Sequence, residues 1–474
     1  MTEYPFTKEE LLENVKKMNS FGSRTTSSKG QNNFIAFIKD EIHKMGFETK
    51  SDYHTFDRWQ AEKSSITLHT DTGDVDVHIS SPFPYSGDTD ENGVTGELVR
   101  VHAKHMGFGI ARGKIAVVKV KDFKSTYSGV AFDQKRAFPE GTTIPKYYKG
   151  PVAAAFVKFP FLKVAAQKGV KGVICIWEDM SDAMVEGQYL NFILGYQGIP
   201  TLWVNSHDGE KVLSAAEKKQ SATLVLTAEK EKNAVSESFC SVIKGVIPNE
   251  AVVINTHTDG VNCVEENGAL SMLAMMKYFK EHPPQRTLIF VFVTGHFRLP
   301  NFKKPGGMSD QATSLWLYDN KPLWDGKHGH IKAVAALTPE HLGCIEWKDV
   351  NGVYQKTNDI DIEEVYTGNK TLDDVYFECI KDREHIRTVT LRGHNFLHFG
   401  EGQPFFNVGI PEISLVTSPD YLCAESPTHE MEKFDPQLMY EQTVTFIKLA
   451  ERLDEMTAHQ IGKADKYTWG IGKV

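Results

Sequence analysis

Apolar residues recur at helical spacing over residues 7–20 and again over 31–46 (QNNFIAFIKDEIHKMG), where Gly46 stands as a C-terminal stop, so the pattern predicts two opening helices. From about 64 to 120 the period shortens to alternation (SSITLHT, GELVRVH, GKIAVVKV) with turn residues between the runs, which predicts short strands. Residues 161–176 (FLKVAAQKGVKGVICI) read as an amphipathic helix, a glycine turn and a buried strand. GIPTLWV and SATLVLTAEKEK add strands before a polar stretch at 228–236. Beyond it strands and helices alternate: AVVINTH, GALSMLAMMKYFKEH, TLIFVFVTG, SDQATSLWLYDN, IKAVAALT, TLDDVYFECIKD, RTVTLR, PEISLV and a final helix over 435–453. That order predicts an α/β fold, a mostly parallel twisted sheet with helices on both faces, whose chemistry gathers at the carboxyl ends of the strands. The change of period divides the chain into a first core segment (1–94), a β-rich insert (95–232) and a second core segment carrying the site (233–474). Residues 298–310 are rich enough in Pro and Gly to be a loop beside that site, and 455–474 read as a polar tail.

Composition removes whole classes of function. With 474 residues, 41% hydrophobic and 24% charged, the chain is neither fibrous nor disordered. Lys plus Arg number 53 against 62 Asp plus Glu, a net charge of −9 with no basic block, so nucleic acid and anionic membrane are not expected partners and a small-molecule substrate is. The six cysteines form no Cys-x-x-Cys pair, and the first residues lack the apolar run of a signal peptide, which together lead to the expectation of a cytoplasmic protein. No nucleophile elbow, P-loop or dinucleotide glycine pattern occurs. Oligomeric state is left open.

Candidate chemistry sits where strands end. His257 and Asp259 are two apart, on one side of an extended chain, the arrangement of a metal ligand and the carboxylate that orients it, though a hydrogen-bonded strand end would look the same. Glu265 and Glu266 open the next helix, where acidic residues also serve simply to complement its dipole. TLIFVFV runs into Thr294-Gly295-His296-Phe297, and IKAVAALT into Pro339-Glu340-His341. Three successive strand ends carrying His or Glu would converge on one rim of a parallel sheet. His394, His398, Glu401 and Gln403 form a further polar group before GIPEISLV, whereas Cys263 and Cys344 read as small buried hydrophobes.

The helix in FIAFIKDEIHKMGFET, the His-x-Asp strand end, the acidic helix start, the strand plus glycine that follows and the closing SPTHEMEKFDPQLMYEQTVTFIKLAERL together resemble the zinc aminopeptidase and glutamate carboxypeptidase family, over roughly 20–60 and 235–453. Residues 95–232 resemble the protease-associated insert of that family. The resemblance implies a two-zinc site, but here the bridging carboxylate falls on Glu266, the family's Glu-Glu pair on His296 and Phe297, the later Asp on Glu340 and the final His near Glu425. One divalent metal is therefore expected, held by His257, Glu266 and Glu340 with His341 as substitute or supplement, zinc first and manganese, iron or cobalt open to the same donors. His296 is expected to transfer the proton, with Asp259 and Glu265 beside it, and His394, Glu401, Gln403 and Glu425 to face the substrate. The activity implied is a metal-dependent hydrolase of a small amide, ester or related substrate. A lyase or cyclase on the same scaffold, or a non-catalytic ligand-binding member, are the alternatives. The insert is expected to shape the cleft without giving strands to the central sheet.

Overall fold

The computed structural model describes residues 4–102, 107–126, 134–140, 144–297, 312–395, 398–425 and 430–466, so the loop expected at 298–310 and the end of the tail lie outside the described residues. The two opening helices are Lys8–Asn19 and Lys29–Lys44, each started by a hydroxyl that accepts from a backbone amide, Thr7 from Glu10 and Ser28 from Gln31. Gly46 follows the second helix at φ 88°, the left-handed conformation a terminating glycine supplies. Their buried faces, with those of Gly268–Glu281, Lys370–Cys379 and Pro436–Glu455, form the main core on one side of the sheet. Ala312–Asp319, through Trp316, and Phe405 cover the other side.

The sheet centre is a parallel set. Ile247–His257 lies between Arg286–Val293 and Lys332–Glu340, and Glu412–Val416 follows as the next parallel neighbour. All eight residues of Arg286–Val293 are buried, as expected of a strand covered on both faces. The architecture is mixed α/β, a large mostly parallel sheet with helices on both faces. Because the strands are parallel and adjacent, His257, Glu340 and the residues just after Val293 emerge side by side on one rim.

Two features differ from the sequence expectation. The polar stretch at 228–236 does not end the strand before it: it belongs to a single strand, Ser221–Ile243, paired antiparallel with Thr49–Thr70. Its charges are cross-strand partners, with Arg58 against Glu229 and Glu231 at 2.7 and 3.2 Å, so polarity marks a solvated ladder there. Nor does 95–232 stand apart from the sheet. Val94–Arg100 pairs with Ser221–Ile243 and leads through Ile115–Lys121 and Gly172–Glu178 to Thr201–Val204, while Gln134–Phe138 pairs antiparallel with Thr388–Arg392 at the opposite edge. A short strand with no apolar alternation of its own is recruited by its neighbour, where Arg136 meets Asp373 at 2.8 Å and lies over the Phe377 ring. Among the described residues no helix is long and apolar enough to cross a membrane.

Candidate active site

Three imidazoles meet at the rim, each held by one ring nitrogen. His257, the last residue of its strand, places Nδ1 2.8 Å from the Asp259 carbonyl, and His341 places Nδ1 2.7 Å from the Thr417 carbonyl. A carbonyl only accepts, so both rings carry their proton on Nδ1 and leave Nε2 as a bare electron pair. His296 donates from Nδ1 to Glu401 Oε1 at 2.9 Å. Its Nε2 lies 3.9 Å from Glu265 Oε1, and the His341 Nε2 lies 4.0 Å from the same oxygen.

The carboxylates complete the cluster. Glu340 Oε1 accepts from the Glu401 amide at 3.0 Å, and its Oε2 has no partner. Glu265 is 1% exposed and neither of its oxygens is bonded, and the Nε2 atoms of His257 and His341 are also buried without a partner. Buried polar atoms are almost always satisfied, so this many converging on one point marks a place for a group that accepts lone pairs. His257, Glu340 and His341 each offer a donor, all within 4.8 Å of one another, and so do His257, Glu265 and His296.

Burial drives His257 well below the ordinary imidazole range, with His296 and His341 adding to it, and holds His341 down to about 3. Both rings are therefore neutral, the form a metal ligand requires. Burial raises Glu265 well above the usual carboxylate range, and burial with the neighbouring Glu401 raises Glu340 to about 8. Burial also opposes charge on His296, but the Glu401 hydrogen bond and the fields of Glu401, Glu265 and Glu340 override it and raise that ring to about 9. Without an ion, His296 is a cation at neutral pH and begins as a proton donor.

Local backbone explains the placement. Gly295 takes φ 104°, which turns the chain off the strand so that His296 folds back over His257, the two rings stacked at 4.1 Å. His341 itself sits at φ 54°, a conformation that costs a non-glycine residue about 1–2 kcal/mol and that clusters at functional sites. Gly400 at φ 78° leaves no room for a side chain, since a Cβ there would run into Glu340 Oε2. Behind the site Glu401 Oε2 accepts from the Thr313 amide and hydroxyl at 2.8 and 2.9 Å, and Asn255 links Thr313 to Thr338.

Of the expected residues, His257, Glu265, His296, Glu340, His341 and Glu401 come together. Glu266 points elsewhere: its Oε1 is the ion-pair partner of buried Arg24, so the carboxylate facing the imidazoles is its neighbour Glu265. Asp259 orients His257 through its carbonyl, not its carboxylate, which instead accepts from the Thr26 hydroxyl at 2.5 Å and the Phe297 amide at 3.1 Å. Glu401, expected to touch substrate, is bonded to His296. His398 stacks on Tyr366 at 4.0 Å with Nδ1 3.8 Å from Glu412, and His394 is its buried neighbour. Gln403 starts a short helix, and the Glu425 amide donates to Gly187 of the insert. Arg24, Thr26, Thr313 and Phe192 were missed. Phe192 lies 5.6 Å from the His296 ring and packs on Phe297 at 4.6 Å. Arginine, threonine and phenylalanine so far away in sequence carry no local pattern that announces such a role.

No protein-family model matches the chain, and no curated protein does. Solved structures do resemble it. A zinc aminopeptidase from Bacillus subtilis aligns over 96% of this chain and 98% of its own at 15% identity with a TM-score of 0.64. A peptidase M28 precursor from Shewanella amazonensis aligns over 94% and 93% at 14% identity and 0.65. An aminopeptidase from Aneurinibacillus aligns over 94% and 93% at 13% identity and 0.60. At these identities the likeness is one of fold.

Proposed function

We propose that the chain is a hydrolase of a small amide, ester or related substrate, working with one divalent ion, zinc first among the candidates, in an altered zinc aminopeptidase scaffold. The observation that carries this reading is the set of buried, oriented and unpartnered donors: His257 Nε2, His341 Nε2 and Glu340 Oε2, with both oxygens of Glu265 beside them. Two imidazoles and a carboxylate with room for more ligands is a catalytic donor count, and it fits zinc, manganese, iron or cobalt. A count of one is supported by Phe297, fully buried against Phe192 and Tyr189 at the position where the family resemblance implies a second metal's ligand.

When bound, the ion would polarise the substrate carbonyl and acidify water. The remaining work belongs to the chain. Glu265, free at both oxygens and raised in affinity for protons, takes the proton from the attacking water. His296, cationic in its pair with Glu401, gives its Nε2 proton to the leaving group, and Glu401 fixes the ring so that this nitrogen faces inward. His296, expected from the sequence to transfer the proton, is thereby read as the acid, since a ring held protonated by a buried carboxylate starts as a donor. The insert, read as protease-associated, contributes the Phe192 ring beside His296.

The test is turnover by the zinc-loaded protein of a panel of peptides, amino-acid anilides, amides and esters in ¹⁸O-water, read by mass spectrometry. Hydrolysis puts the label in the acid product, and a lyase or cyclase product carries none. On the substrate found, His296→Ala should lower kcat about 100- to 10,000-fold with zinc still bound. Absence of labelled product across the panel, or a variant with normal turnover, contradicts the reading.

A further inference from the structure

Beside the donors proposed for the ion lies a second group of charges. Asp259, Glu265 and Glu266 are all buried. They are crowded around Gly260, where even a Cβ would overlap Glu266 Oε2 and the Glu265 side chain. Asp259 Oδ1 and Glu266 Oε2 are buried with no partner. A buried carboxylate needs a positive partner: Glu265 has the His296 ring 3.9 Å away, and Glu266 has Arg24.

Arg24 is 1% exposed and lies on the segment between the two opening helices. Its backbone is bridged to Gly260 in both directions, at 3.0 and 3.1 Å, which fixes the side chain over the carboxylates. The guanidinium is fully engaged: Nε binds Glu266 Oε1, Nη2 the Asn262 carbonyl at 2.6 Å, and Nη1 the Met18 and Gly22 carbonyls. A guanidinium stays charged at any pH a folded protein meets, and a buried ion pair with this many bonds holds its geometry.

We propose that Arg24 is a built-in cation standing in for a second metal ion: it balances the Glu266 charge and takes that carboxylate out of the donor set, so that the centre recruits one divalent ion and no more. The proposal rests on the one-ion reading above and names the residue that enforces it. Removing the guanidinium alone leaves the buried Glu266 carboxylate without a counter-charge, which a second divalent ion can supply. Removing Arg24 and the charge of Glu266 together restores the balance.

The experiment is calorimetric titration of the metal-free protein with zinc, with folding checked by circular dichroism, on the wild type and on Arg24→Lys, Arg24→Met and the double variant Arg24→Met/Glu266→Gln. Wild type, Arg24→Lys and the double variant should each take one equivalent, and Arg24→Met two. If Arg24→Met does not fold, the double variant decides: one equivalent with affinity within about tenfold of wild type supports the proposal, because loss of a true ligand costs far more. A folded Arg24→Met that takes one equivalent, a double variant that loses the ion, or a wild type that takes two overturns it. A wild type that takes none overturns the metal-centre reading itself, whatever the variants do.

Discussion

At the scale of single residues the site is a matter of which hydrogen bond each ring makes. His296 is charged because Glu401 faces its Nδ1, so Glu401→Gln should drop the ring's pKa in the metal-free protein from about 9 to near or below 6.5, followed by NMR titration of the histidine signals. An unchanged midpoint would remove Glu401 from the account. A second buried ring, His398, is held by burial down to about 3. The unfolded chain takes up that proton near pH 6.5 while the folded one refuses it until about 3, so the unfolded state binds more protons across this window and stability falls as pH falls through it. His398→Phe, which keeps the ring on Tyr366, should flatten the acid loss of unfolding free energy by up to about 1.4 kcal/mol per pH unit, measured by urea unfolding between pH 6.5 and 4. A slope equal to that of the wild type would contradict this. Residue identity at the strand ends made His257, His296, Glu340 and His341 legible in the sequence. The choice between Glu265 and Glu266 was not, because it is made by Arg24, 242 positions from Glu266.

At the scale of elements, periodicity located the parallel strands and hence the rim, since a strand buried on both faces and a helix of amphipathic spacing leave plain patterns. It failed where a partner, not the segment itself, decides the structure. The arm formed by Thr49–Thr70 and Ser221–Ile243 is held by cross-strand charges, and Gln134–Phe138 is a strand only because Thr388–Arg392 offers its edge. The loop after Thr388–Arg392 brings Gly400 against Glu340, a contact that no period reveals. Gly400→Ala should strain a left-handed backbone by about 1 kcal/mol and push Glu340 aside, lowering zinc affinity by at least about tenfold in a calorimetric titration. Wild-type affinity in that variant would show that Glu340 does not hold the ion.

At the scale of the whole molecule, the sheet runs without a break from Thr201–Val204 through Ser221–Ile243 into the core, and Phe192 brings the stretch before Thr201 against His296. The segment before Phe192 is tied down by main-chain bonds, Glu425 to Gly187 at 2.9 Å and Tyr189 to Cys423 at 2.7 Å. Phe192 and His257 thus both place a ring near His296 from distant parts of the sequence, which makes the site a product of the assembled chain. The function proposed for the rim needs a single ion there. Anomalous diffraction at the zinc edge from zinc-soaked crystals should show one peak, ligated by His257 Nε2, His341 Nε2 and Glu340, with Glu266 still on Arg24. Two peaks, a peak held by Glu266, or no peak at these residues would contradict it.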